Sequence, residues 1–238
     1  MDAQYSMEPL PAMPPQYKMD EPYYDVQQSS KVIPPHMASA QSRTLAVDFT
    51  WKKFKALVSD SNSSNPNPLY TVSFQMVSAP HLRFKSTETG QQIGTGTVHA
   101  FSINPDYQLH GAKHTLKAQK RLVTNYTHMS SAFSDTDTPV KMTWTGEVGL
   151  KTWSFICVDE NQVPVAKFSA NLWAVKKLAK IELMGPKALD DAVRDEIVVV
   201  GFTLFYCMYL RANNIFNLFG SAFLRPDKEG KAEKGGKE

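Results

Sequence analysis

The sequence is poor in the residues from which most recognisable sites are built. It holds only two cysteines, Cys157 and Cys207, and each sits in an apolar run. Two are too few for a disulfide framework or a thiolate metal site, so both read as small buried hydrophobes. Neither sign of charge dominates: the net charge is +3, which gives no long-range field for nucleic acid. The first twenty residues carry acids and prolines but no apolar h-region, which predicts an intracellular, cytoplasmic protein. On that expectation the sequons at Asn62 and Asn125 carry no sugar.

Motifs for chemistry are equally scarce. His110 and His114 in HGAKH lack the Glu of a zinc-protease helix, since Gly111 holds its place, and no third ligand stands nearby. The string GTGTV, Gly94 to Val98, has no phosphate-loop lysine and suits a bulged strand. Asp135 and Asp137 offer too few oxygens for calcium, and no Ser or Cys has a nucleophile's local context. The sequence therefore predicts a protein that is not an enzyme, with no catalytic residue, metal or cofactor.

Also missing is a run of about 20 apolar residues, the length that crosses roughly 30 Å of hydrocarbon. The main apolar run, residues 197–210, reaches about 21 Å as a helix, and it lies within Asp190–Arg211, DDAVRDEIVVVGFTLFYCMYLR. Acids gather before it and Arg211 with Asn213 and Asn214 follows it, as the two ends of a helix prefer. Ile197, Val198, Val199 and Val200 are consecutive, so apolar side chains cover every face and the helix must be surrounded.

Residues 1–43 are rich in Pro, Gln and Tyr, show no periodicity and predict a disordered tail. The tail contains the PPxY string Pro14-Pro15-Gln16-Tyr17. Its prolines bias the backbone to polyproline II, which WW domains grip, so WW-containing proteins such as ubiquitin ligases are the expected partners through Pro14, Pro15 and Tyr17. Residues 44–224 read as one domain, and 225–238 as a charged, disordered tail.

Within the domain strand signals recur. Leu45–Val58 forms the first ordered piece, followed by Leu69–Val77, His81–Lys85, and Gln91–Phe101 with Ile93, Val98 and Phe101 as packing residues. Tyr107–Leu116, Lys117–Val123 and Tyr126–Phe133 come next. Trp153–Val158 and Val163–Ala170 predict a hairpin across Asp159–Gln162, and Ala179, Ile181 and Leu183 alternate with Lys180 and Glu182. Ile215–Leu224 reads as a separate short apolar piece. About nine to twelve short antiparallel strands and a helix apolar on all sides have one economical solution. The sheet closes into a barrel around the helix, giving a mainly β fold.

Basic residues form two groups: Lys113, Lys117, Lys120 and Arg121, and then Lys176, Lys177 and Lys180. Such cations either line an ordinary solvated face or hold the phosphates of anionic phospholipids at a membrane surface.

The hairpin KTWSFICVDENQVPVAKFSA, the strand LAKIEL and the helix DEIVVVGFTLFYCMYL, behind a Pro-rich tail, resemble the tubby C-terminal-like barrels. These include tubby proteins, phospholipid scramblases and LURP-one-related proteins. The resemblance covers roughly residues 44–214 and implies a barrel around a C-terminal helix, with phosphoinositide binding as in tubby-like relatives. No motif carries a particular residue across, and the Cys cluster and acidic calcium segment of scramblases are not evident. Two other functions stay open: a scramblase-like membrane protein anchored by helix 191–211, and a carrier of a small apolar ligand.

Overall fold

The computed structural model describes residues 41–50, 53–64, 67–119, 124–149, 152–171 and 177–223, with backbone alone at 177, 178 and 213–223. Its elements are β1 (Ser42–Thr50), β2 (Lys55–Asp60), β3 (Tyr70–Phe74), β4 (Leu82–Ser86), β5 (Gln92–Thr97), β6 (Asp106–Leu109), β7 (Ala112–Thr115), β8 (Lys117–Ala118), β9 (Thr124–Ser130), β10 (Val140–Val148), β11 (Thr152–Val158), β12 (Pro164–Asn171), β13 (Lys177–Met184) and α1 (Asp191–Phe223). The strands make one 13-stranded antiparallel sheet in the order β7-β6-β5-β4-β3-β2-β1-β13-β12-β11-β10-β9-β8. It curls into a nearly closed barrel, with a seam between the two edges, β7 and β8, which follow each other directly in the chain.

The helix fills the barrel. Val198, Val199, Val200, Phe202, Leu204 and Thr203 are fully buried, and Phe205 and Tyr206 nearly so, although they point to different sides of α1. Phe202 meets Phe168 at 5.3 Å and Phe84 at 6.0 Å between ring centroids, while Phe205 stacks on Phe168. Full burial of one such side chain contributes about 1.5–3 kcal/mol, so this helix holds much of the core energy. Among the described residues no helix is long and apolar enough to cross a membrane. A barrel occupied by its own helix also leaves little room for the cargo of a carrier.

The GTGTV string belongs to this packing. Gly94 and Gly96 face α1, where a Cβ at Gly94 would lie 2.6 Å from the Gln108 carbonyl and 2.9 Å from Val199. At Gly96 it would lie 2.5 Å from the Thr203 hydroxyl. The expected bulge is also present: Phe84 pairs with Gly94 but Lys85 with Gln92, which leaves Ile93 over.

The structure corrects several expected boundaries. Leu45–Val58 is two strands, β1 and β2. Tyr107–Leu116 is broken into β6 and β7 by a two-residue turn at His110-Gly111, both with positive φ (46° and 89°). Phe101 does not pack inward; the strand has ended at Thr97 and the side chain is fully exposed. The helix does not stop near Arg211 but continues to Phe223, so Ile215–Leu224 is not a separate piece. Asn213 and Asn214 cost a helix interior only about 0.7 kcal/mol each, and no Gly or Pro interrupts before Gly220.

Candidate functional site

The seam is where charged side chains converge. Lys113 on β7 and Lys117 on β8 are both exposed and line one cleft of about 500 Å³ with Thr95, Thr97, Thr115 and His114. The two lysines stand on the one segment that ends β7 and begins β8, where the chain passes directly from one edge of the sheet to the other. Register sets the rest of the face: Arg83 pairs with Thr95, Thr95 with Gln108 and Gln108 with Lys113, so one outward row runs from Arg83 to Lys113.

One acid, Asp106, also lines the cleft, and it is engaged. Its Oδ1 accepts the Thr115 hydroxyl at 2.5 Å and its Oδ2 lies 2.8 Å from His99 Nε2. Burial by itself raises the Asp106 pKa, but the hydrogen bonds from Thr115 and His99 and the charge of His99 outweigh it, so the carboxyl sits below its usual range. His114 stacks on Tyr107 at 5.0 Å, whereas His110 lies 3.1 Å from Asp195. The two histidines thus serve different partners.

Beneath the cleft lies a buried polar group that the sequence did not announce. Glu196 of α1 is 4% exposed; its Oε1 is 2.9 Å from His128 Nε2, and its Oε2 accepts the Ser130 hydroxyl at 2.9 Å. Tyr107 packs edge-on against His128, and burial followed by the nearby Glu196 pushes its phenol pKa far up. At the start of the helix a second network joins Tyr70 to Asp195 and Arg194, and Arg194 to Asp191. Arg43 on β1 reaches Asp60 at 2.8 Å. Arg43 also reaches Asp191 at 3.5 Å, so these contacts pin the N-terminal end of α1 to the barrel wall, and they are structural in chemistry: each acid named has a base or hydroxyl at hand.

No family model, curated protein or solved structure matches this chain. The site stands on its own geometry.

That geometry joins some of the expected residues and separates others. Lys113 and Lys117 share the cleft. Lys180 lies on β13, with β1 to β6 between it and β7, and it is held by Glu182 at 2.7 Å. It lines a different outer groove of about 580 Å³ with Lys167, Ser154 and Ser169. The second basic group therefore does not extend the first. For Lys177 only the backbone is described, opposite Asp48. Lys120, Arg121 and Lys176 lie outside the described residues, as do Pro14, Pro15 and Tyr17.

Proposed function

We propose that this chain is a non-enzymatic, tubby-like barrel that binds anionic phospholipid headgroups, phosphoinositides above all, at the seam. The observation that carries this is the meeting of Lys113 and Lys117 over threonine hydroxyls in one open cleft whose acid, Asp106, is already occupied. Ammonium groups and hydroxyl donors suit a phosphate's oxygens, and each cation near an anionic membrane contributes on the order of 1 kcal/mol. A helix enclosed by its own barrel favours peripheral attachment from the cytoplasmic side over a scramblase-like anchor at residues 191–211. Reversing both charges in Lys113→Glu/Lys117→Glu is expected to lower pelleting with phosphoinositide vesicles about tenfold or more, with circular dichroism unchanged. Binding by the parent chain should also fall as salt rises to physiological strength. Undiminished pelleting of the double variant would refute the seam as the lipid site.

The tail supplies the second half of the proposal. Pro14, Pro15 and Tyr17 would recruit WW-domain proteins, ubiquitin ligases among them, to the membrane-bound barrel. In calorimetry, a peptide of residues 8–24 should bind a WW domain weakly, and its Tyr17→Ala counterpart should give no heat. Equal heats from both peptides would reduce the string to a coincidence of composition.

A further inference from the structure

The strand directions sort the loops into two ends of the barrel. From Gly94 to Gly96 β5 runs alongside α1 from Val199 to Thr203, so the segments after β1, β3 and β5 lie at the end from which α1 emerges. His81 and Val98 tie two of these segments together, since the Val98 N–H donates to His81 Nδ1 at 3.1 Å. Phe74 donates its N–H to the Phe54 carbonyl at 2.9 Å, which brings in the third.

This end exposes apolar side chains. Phe101 is 105% exposed, Val77 97%, Met76 67% and Phe54 45%. Val77 and Phe101 are essentially uncovered among the described residues, Met76 and Phe54 are covered only in part, and each is large enough to repay burial.

Charge divides along the same axis. The described loops of the far end carry Glu88, Asp135, Asp137, Asp159, Glu160 and Asp190. The described loops of the helix-exit end carry no acid, and Lys53 stands exposed beside Phe54.

We propose that the helix-exit end of the barrel is a membrane-contact surface that seats Phe54, Met76, Val77 and Phe101 in the interfacial layer of an anionic phospholipid bilayer. Exposed apolar tips on loops that carry no acid, with Asp106 beside them already engaged by His99 and Thr115, match a surface that is negative outside and apolar beneath. The acidic far end is repelled by the same surface, so the two ends together orient the molecule. The inference rests on the proposed function for its partner, an anionic bilayer, and uses different residues. Lys117, one residue before β8 ends at this same end, lets the seam and the tips meet one membrane.

The test uses the full chain with vesicles of phosphatidylcholine and phosphatidylserine. An environment-sensitive dye is placed at Val77→Cys, at Phe101→Cys or, at the far end, at Glu88→Cys; the native Cys157 and Cys207 are buried. Emission should rise severalfold and shift to the blue at Val77 and Phe101 on adding vesicles, and stay flat at Glu88. Val77→Ser/Phe101→Ser should lose about tenfold or more in vesicle affinity while keeping its circular dichroism. Flat emission at Val77 and Phe101 with pelleting intact overturns the inference, as does an equal response at Glu88. A concentration-dependent shift without vesicles assigns the end to a second copy of the chain and also overturns it. If Lys113→Glu/Lys117→Glu abolishes pelleting and Val77→Ser/Phe101→Ser does not, the inference falls and the proposed function stands. The opposite pattern keeps this end as the contact and removes the seam. Failure of the parent chain to pellet overturns both.

Discussion

Replacing His128 with alanine is expected to destabilise the protein by about 1 to 3 kcal/mol, the usual effect of leaving a buried polar group without a hydrogen-bonding partner. Glu196 is 4% exposed, and His128 and Ser130 are its two hydrogen-bonding partners across the barrel wall. Without the imidazole, the carboxyl faces the core with a single hydroxyl. A domain of ordinary stability holds only about 5 to 15 kcal/mol in all, so the variant should unfold at much lower urea. His128→Leu/Glu196→Leu should recover much of the loss, because only the Ser130 hydroxyl is then left without its acceptor. A double-mutant cycle from urea midpoints reads the coupling directly. A loss below about 1 kcal/mol for His128→Ala would show that the pair does not carry the wall.

Val199→Asp should prevent folding altogether. Val199 is fully buried on the face of α1 that Gly94 approaches. An unpaired buried carboxylate costs several kcal/mol, comparable to the whole stability of a domain. The matched control is Val77→Asp, at a position 97% exposed, whose melting temperature should stay within a degree or two of the parent. A folded Val199→Asp protein with native circular dichroism would end the account of α1 as an enclosed helix.

The alternation in β13, the turn chemistry at Asp159 and the all-round apolarity of residues 197–207 made the barrel and its central helix legible in the sequence. At that turn the Asp159 carboxylate accepts backbone N–H groups from Asn161 and Val163, as such a residue should. What stayed hidden depended on facing or on distance along the chain. Phe101 is apolar, but apolarity alone does not say whether a residue points in once its strand has ended. Glu196 looked like one more acid suited to a helix start, because its partners lie 66 and 68 residues away. A signal did exist: Tyr126, His128 and Ser130 alternate along β9 on its buried face. The basic cluster from Lys113 to Arg121 was visible as composition, but a turn and a strand edge decide which of its members share a surface.

The sheet order has a consequence for how the molecule is made. Every neighbouring pair of strands is consecutive in the chain except β1 with β13. Two meanders, β1 to β7 and β8 to β13, can therefore assemble from local hairpins as they leave the ribosome, each with little loop-closure entropy to overcome. Neither has a core until α1, the last of the described elements, arrives to be wrapped. Until then the inward faces carrying Phe84, Trp144 and Phe168 remain uncovered, which leaves the nascent chain open to aggregation or chaperone capture until the helix has been made. A chain that stops before residue 191 would be a sheet with nothing to close upon.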